Sequence, residues 1–269
     1  MKKNVVLMPW IEREHAIGTS GIGKSDRTRG YEYGMNSWKK WCDKNDVEFF
    51  LMDELLMPET DMVITWQRWY VLEILKNNEI DYDQVLLVDA DCIVHPNCPN
   101  FFELTDNKFS TSFCNGDFEW VNRSIKGYSQ KFFDTDYLMM ASDFFQTGFV
   151  ILNKSHEEFL EKVIKFYWDN QIDIIESYDT IRTGSDQALI NLLTKKHKVD
   201  VKFLPNKFSI IDMGRKNLLY TDDRCWWQDD LSNLYNTSYI YQFNAIAQNT
   251  LNRDRNYWME RIYKELYDK

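Results

Sequence analysis

Histidine is scarce in this chain, four in 269 residues, and none of its five cysteines stands in a CxxC pair. Those two absences argue against a zinc cluster. The odd cysteine count (Cys42, Cys92, Cys98, Cys114, Cys225) and the chain length argue equally against a disulfide framework. No run of eighteen apolar residues occurs, so no transmembrane helix is expected. Basic residues are outnumbered, 32 Lys and Arg against 42 Asp and Glu, for a net charge of −10. That is the wrong sign for a protein whose main task is gripping nucleic acid. It leaves open a local basic pocket for a phosphorylated small molecule, or a modified base presented by DNA. Met1-Lys2-Lys3 followed by Asn4 to Met8 imitates a signal peptide, but the apolar run stops at Pro9 and is too short. We read it as the first strand of a cytoplasmic domain. No internal repeat, low-complexity tract or linker divides the chain, so residues 1–269 read as one domain.

Apolar residues make up 44% and aromatics 16%, ample for a core, and the ten tryptophans exceed what a core alone needs. Most of them read as packing, with some left over to stack on a ring-bearing ligand. The stretch that organises the rest is Gln84-Val85-Leu86-Leu87-Val88-Asp89-Ala90-Asp91. A run so short and so apolar is a strand buried on both faces, as in the middle of a parallel sheet. In open α/β sheets ligands collect beyond the carboxyl ends of such strands. Two carboxylates there repel each other unless a positive group lies between them, and a hard cation, Mg²⁺ or Mn²⁺, is the natural candidate. The alternative is a surface turn with two solvated acids.

In chain order, Val5–Met8 is the first strand, Tyr31–Asn45 a helix with Met35, Trp38 and Trp41 inward, and Val47–Met52 a second strand. Met62–Asn77 has helical spacing of Ile64, Trp66, Trp69, Leu72 and Leu75 and carries Arg68, which on spacing alone belongs to a solvated face. Phe109–Cys114 reads as a strand, 115–129 as a loop, and 137–143 as either helix or strand. In Phe145–Asn153, an apolar strand, Gly148 marks a place where something approaches the backbone closely. Ser155 with Glu158 forms a capping box for a helix to about residue 170. A helix through Lys195 starts at Gly184-Ser185-Asp186-Gln187, with Ser185 as N-cap and Asp186 complementing the helix dipole. Val199–Leu204 and Ser238–Phe243 read as strands, and Leu251–Leu266 as an amphipathic helix.

One motif competes for the nucleotide. Gly18-Thr19-Ser20-Gly21-Ile22-Gly23-Lys24-Ser25 satisfies the Walker A pattern, with Val85–Asp89 available as a Walker B strand. A P-loop, however, requires the strand to run directly into the first glycine, and roughly nine residues intervene after Pro9. Asp26 to Gly30 also make a poor first helical turn. A basic loop over a nucleotide site, carrying Arg13, Lys24, Arg27 and Arg29, explains the same residues.

Arg68, Asp89-Ala90-Asp91, the strand Gln146–Asn153 with Gly148, and Ser185-Asp186-Gln187, in this order, resemble nucleotide-sugar-dependent glycosyltransferases of the GT-A fold. The spacing is most similar to the retaining galactosyl- and glucosyltransferase and glycogenin families, from about Val5 to about Phe243. The resemblance implies an α/β fold, a GT-A (Rossmann-like) domain with a mostly parallel central sheet flanked by helices. Its nucleotide-binding half would be about 1–95 and its acceptor side about 96–269. It implies hexosyl or related transfer from a nucleotide-sugar, with a UDP-sugar favoured, and Mn²⁺ or Mg²⁺ held by Asp89 and Asp91. Arg68 and Ala90 would contact the donor, Asp186 its sugar hydroxyls, and Pro9 and Trp10 its nucleobase. Gln187 would sit near the anomeric carbon. A carboxamide is a poor nucleophile, which favours a front-side reaction over a covalent intermediate.

Two departures stand out. The family's late His-Phe-x-Gly pattern, source of a third metal ligand, is here Tyr241-Gln242-Phe243-Asn244-Ala245, so a carbonyl oxygen of Asn244 or Gln242 would have to serve. The family's late phosphate-clamping Lys has no match, which points to Lys24, Arg27 or Arg29. The acceptor is unassigned, although Trp120, Trp226 and Trp227 fall in loop-like stretches where they could stack on a sugar. Two other classes compete, a P-loop hydrolase built on Gly18–Ser25 and a non-catalytic sugar-binding module on the same fold.

Overall fold

The computed structural model describes residues 3–11, 28–184, 186–208, 210–212, 237–244, 246 and 254–268. Its centre is a six-stranded sheet of order β2-β1-β3-β6-β5-β7. The strands are β1 (Lys3–Pro9), β2 (Glu48–Met52), β3 (Tyr82–Val88), β5 (Phe109–Phe113), β6 (Phe145–Asn153) and β7 (Val201–Phe203). β1 pairs in parallel with β2 and β3, and β5 with β7, while β6 runs antiparallel between β3 and β5. Five strands therefore share one direction, and their carboxyl ends meet at one edge. β4 (Cys92–Val94), β8 (Ile210–Asp212) and β9 (Ile240–Gln242) form a small second sheet of order β4-β9-β8.

Alternation along the strands separates two cores. Val5, Leu7, Val85, Leu87, Val150 and Leu152 face one side with Trp66 and Trp69. Val6, Met8, Leu86, Val88, Phe149 and Ile151 face the other with Trp38, Trp41 and Phe101. Among the described residues, Trp38, Trp41, Trp66, Trp69 and Trp258 are fully buried, so these five are packing. The four described cysteines are buried.

Helix α1 (Tyr31–Asn45) has the bounds expected and stops where Asp46 turns left-handed at φ 53°. It carries Gly34 against the turn after β3: a Cβ there would lie 2.2 Å from the Ala90 carbonyl oxygen. Only glycine allows α1 to buttress Asp89–Asp91 so closely.

The expected helix over 62–77 is broken into α2 (Ile64–Gln67), a 3₁₀ turn (Arg68–Tyr70) and α3 (Val71–Asn77). Tertiary hydrogen bonds override helical spacing here. The Gln67 carboxamide binds the backbone at Leu56, Met57 and Met62, and the Arg68 and Trp69 side chains both reach Asp186. The stretch read as a loop is mostly helix α4 (Phe118–Phe133), N-capped by Asp117, whose carboxylate accepts from Trp120 N–H at 3.0 Å. Residues 141–143, within the ambiguous stretch, form one 3₁₀ turn.

Helix α5 (Glu157–Thr180) continues past Asn170, where it kinks. Its entry is capped by Asn153 and His156, not by Ser155 and Glu158. The Asn153 carbonyl oxygen Oδ1 accepts from Ser155 N–H, and His156 Nδ1 accepts from Asn153 N–H. α6 (Gln187–Lys196) and α7 (Arg255–Tyr267) complete the chain. No helix among the described residues is long and apolar enough to cross a membrane.

Candidate active site at the carboxyl edge of the sheet

β3 stops at Val88, and the next three residues, Asp89, Ala90 and Asp91, turn across the edge where the parallel strands end. The turn is pinned on both sides by backbone. Asp89 N–H donates to the Gly148 carbonyl at 3.1 Å, and Phe243 N–H to the Asp91 carbonyl at 3.0 Å. β4 then pairs antiparallel with β9, which sets Gln242 opposite Cys92. Through these ladders three stretches far apart in sequence converge on one point.

Arg68 lies at the centre, 7% exposed. Its guanidinium donates to Asp186 Oδ2 through Nη2 at 2.8 Å and Nε at 3.2 Å, to Thr147 Oγ1 at 3.1 Å, and through Nη1 to Asp89 Oδ1. The solvated-face reading of this residue is thus wrong. Burial alone would lower its pKa, but Asp186 and Asp89 outweigh that and raise it, so the charge is permanent. Asp186 is 5% exposed and also accepts from Trp69 Nε1 at 2.9 Å. Asp186 itself occupies the N-cap position of α6, without a side-chain capping bond, because its carboxylate is turned toward Arg68 and Trp69. Ser185, the expected cap, lies outside the described residues.

Gln187 follows in the first turn of α6. Its Oε1 lies 3.4 Å from Thr147 Oγ1 and 3.5 Å from Thr147 N, and its Nε2 lies 3.5 Å from Cys114 Sγ. Gly148, flagged as a place of close approach, is approached by the site's own carboxylate. A Cβ there would meet Asp89 Oδ2 at 2.6 Å and Gln242 Nε2 at 2.9 Å. Gln242 Nε2 donates to Asp89 Oδ2 at 3.2 Å and reaches Asp91 Oδ1 at 3.5 Å, while its Oε1 is buried without a hydrogen-bond partner.

Arg68, Asp89, Asp91, Thr147, Asp186, Gln187 and Gln242 line a cleft of about 340 Å³ together with Pro9, Tyr31, Ala90, Trp120 and Asn244. Trp10 stands beside it, its ring edge-on to Tyr31 at 6.2 Å. Tyr31 is held by Arg255 of α7, whose Nη1 donates to its hydroxyl. Burial, then the nearby Asp91, raise the Tyr31 pKa, so it stays a neutral phenol. Trp120 reaches the cleft from a helix rather than a loop. Tyr31 escaped the sequence reading because nothing in its local pattern separates it from the other apolar-face residues of α1. Thr147 is the neighbour of Gly148, and between Gln242 and Asn244 the sequence pattern singles out neither amide. Lys24, Arg27, Trp226, Trp227 and the Walker-like Gly18–Ser25 lie outside the described residues. Among the described residues no group of three or more His, Cys, Asp or Glu side chains is arranged to hold a metal.

No protein-family model matches the sequence, and no curated protein matches it. The fold does have solved counterparts. One is a glycosyltransferase involved in the glycosylation of the major capsid of PBCV-1, with TM-score 0.56 and 9% identity over 96% of this chain and 99% of that one. Another is the apo form of the glycosyltransferase GlyE of Streptococcus pneumoniae, with TM-score 0.50 and 14% identity over 100% of this chain and 64% of that one. The architecture is therefore that of the GT-A glycosyltransferases, a Rossmann-like α/β sheet with one reversed strand beside the β3 turn. Such distant likenesses speak to the fold alone.

Proposed function

We propose that this protein is a metal-dependent glycosyltransferase that moves a sugar from a nucleotide-sugar, a UDP-sugar by the family resemblance, to an acceptor with retention. The observation that carries the reading is Arg68, buried and bonded at once to Asp89 and Asp186. A buried ion network is costly to build and is weak as a source of stability. Placed at the carboxyl edge of the sheet, in a cleft, it makes sense as machinery for a charged ligand.

Each residue has a role that its surroundings permit. Pro9 ends β1 in the cleft and Trp10 follows it against Tyr31, where a nucleobase would lie. Asp89 and Asp91 supply carboxylate oxygens, and the unpartnered Gln242 Oε1 an amide oxygen. That all-oxygen set suits Mg²⁺ or Mn²⁺. When bound, such an ion neutralises charge building on the departing nucleoside diphosphate. Asn244 lines the same cleft as a further oxygen donor. Asp186, held by Arg68 and Trp69, is oriented to accept hydrogen bonds from donor-sugar hydroxyls. Gln187 presents a neutral carboxamide near the reacting carbon, where it can orient and stabilise developing positive charge but not attack. Gly148 leaves the space that Asp89 and Gln242 occupy.

The test is release of nucleoside diphosphate from a panel of sugar nucleotides with Mn²⁺, followed by anomeric analysis of any transferred product. Activity on at least one donor, lost in EDTA and in the Asp91→Asn and Asp186→Ala variants, is the expected result. Turnover that ignores both chelator and variants would remove the reading.

A further inference from the structure

Gln242 carries the clearest unexplained feature of the molecule. The residue is 3% exposed, its Nε2 lies against oxygens of both Asp89 and Asp91, and its Oε1 is buried with no hydrogen-bond partner. An unsatisfied buried acceptor is costly, about 1–3 kcal/mol, and native structures leave few of them. A half turn about the terminal bond of a carboxamide exchanges its oxygen and nitrogen with almost no change of shape. The two orientations here have opposite uses. With nitrogen toward the aspartates, the amide donates to two carboxylates that would otherwise repel. With oxygen toward them, it adds a third acceptor to the same point and creates a site that only a cation can satisfy.

Resting on the metal dependence proposed above, we infer that Gln242 is a protein ligand of the divalent cation and that its carboxamide reverses when the cation binds. The backbone is fixed while this happens. Gln242 is held on β9 by pairing with Cys92 and with Asp212, and the next residue, Phe243, is bonded to the Asp91 carbonyl. Only the terminal amide has to turn. Gly148 keeps the volume beside it clear, since a Cβ there would lie 2.9 Å from Gln242 Nε2. The amide thus bridges the two aspartates before the cation binds and becomes a ligand once it has. An all-oxygen set without imidazole or thiolate also predicts preference for Mg²⁺ and Mn²⁺ over softer-binding Zn²⁺.

Two measurements on the full chain test this. Calorimetric titration with Mn²⁺, alone and with UDP, compares the native protein with Gln242→Met, which keeps the shape and removes both polar atoms. A ligand role predicts an affinity loss of about tenfold or more. A mere placeholder predicts the reverse, tighter binding, because a competitor for the carboxylates has been removed. Unchanged or tighter binding therefore overturns the inference. The second measurement needs no variant. In glutamine-labelled protein titrated with diamagnetic Mg²⁺, one buried side-chain amide should lose the shifts of its carboxylate hydrogen bonds, and a spectrum in which no glutamine amide responds overturns the reversal. If the native protein binds neither Mn²⁺ nor Mg²⁺, with or without UDP, the proposed metal dependence fails and this inference with it. That result is distinguishable from a native protein that binds and a variant that binds as well.

Discussion

The two edges of the central sheet are built from the same residue types and use them in opposite ways. At the edge where the parallel strands begin, Lys3 pairs with Asp46 at 2.6 Å, Lys154 with Asp81 at 3.0 Å and Lys108 with Asp200 at 2.8 Å, with every partner at least 43% exposed. At the edge where they end, Arg68 is shared between Asp89 and Asp186 with side chains 8%, 30% and 8% exposed. Charges in water interact weakly and can be exchanged freely, whereas buried ones must be fully matched. The contrast separates a solvated rim from a built site without appeal to any relative. It also says where substitutions should matter.

The sharpest way to break the contrast is to remove the guanidinium. Arg68→Met leaves Asp89 and Asp186 without their common partner, and a cost of about 3–5 kcal/mol is expected for such a loss. Urea denaturation should show it as a lower midpoint at unchanged m-value, and nucleotide-sugar turnover should vanish with it. A fully stable Arg68→Met variant would mean that the network contributes no more than the exposed pairs.

Next in size is Gly148→Ala. The added methyl would lie within 3 Å of only side-chain atoms, Asp89 Oδ2 and Gln242 Nε2, so the sheet is expected to survive while the carboxylate is displaced. The readout is a drop of about tenfold or more in Mn²⁺-dependent UDP binding, with a thermal midpoint close to native. Gln187→Ala should act more narrowly. Its amide touches Thr147 and Cys114 but neither aspartate of the β3 turn, so kcat is expected to fall by about a hundredfold, with donor affinity little changed.

The two edges also differed in how far the sequence revealed them. The turn after β3 and the glycine of β6 are legible because each is a local pattern with a local reason, whereas the Asp-Gln pair opening α6 reads locally as a helix start and is tied to the site by the resemblance alone. Helical spacing alone puts Arg68 on a wet face and the family resemblance alone assigns it to the donor; the pairing of β3 with β6 and the docking of α6 bring Thr147, Asp89 and Asp186 around it. α4 was missed because its apolar positions, Val121, Ser124, Ile125 and Tyr128, include a buried serine that breaks the stripe. The cap of α5 was misassigned for a related reason. Asn153 ends a strand and starts a turn at once, so a reading of one element at a time credits the nearer serine.

That cap supplies a smaller test, at the rim. His156 is 8% exposed and accepts from Asn153 N–H at Nδ1, and burial pushes its pKa below the ordinary value. The unfolded chain therefore binds the proton more readily, at about pH 6.5. Stability from this group is complete above that pH and is lost as the pH falls through the lower folded value. Denaturation midpoints taken from about pH 7.5 down to 5 should decline, and His156→Gln should flatten part of the slope. His95 and His197, also lowered by burial, act in the same direction. A native slope equal to that of His156→Gln would show that the imidazole is not held neutral.

The smallest expected effect is at the exposed pairs, and it is the one that fixes the scale of the comparison. Lys154 reaches Asp81 at 3.0 Å, and its ammonium also lies 5.4 Å from the centre of the Tyr82 ring, with both charged side chains more than half exposed. Water screens the pair and both side chains lose rotamer freedom to form it, so a double-mutant cycle of Lys154→Ala and Asp81→Ala should return a coupling of only ~0.2–1 kcal/mol. The same cycle on Arg68 and Asp186 should return several times as much, since each single change strands a buried charge. Coupling energies of equal size at the two sites would mean that burial is not what distinguishes the edges, and the charge network at the end of β3 would lose its claim to be machinery.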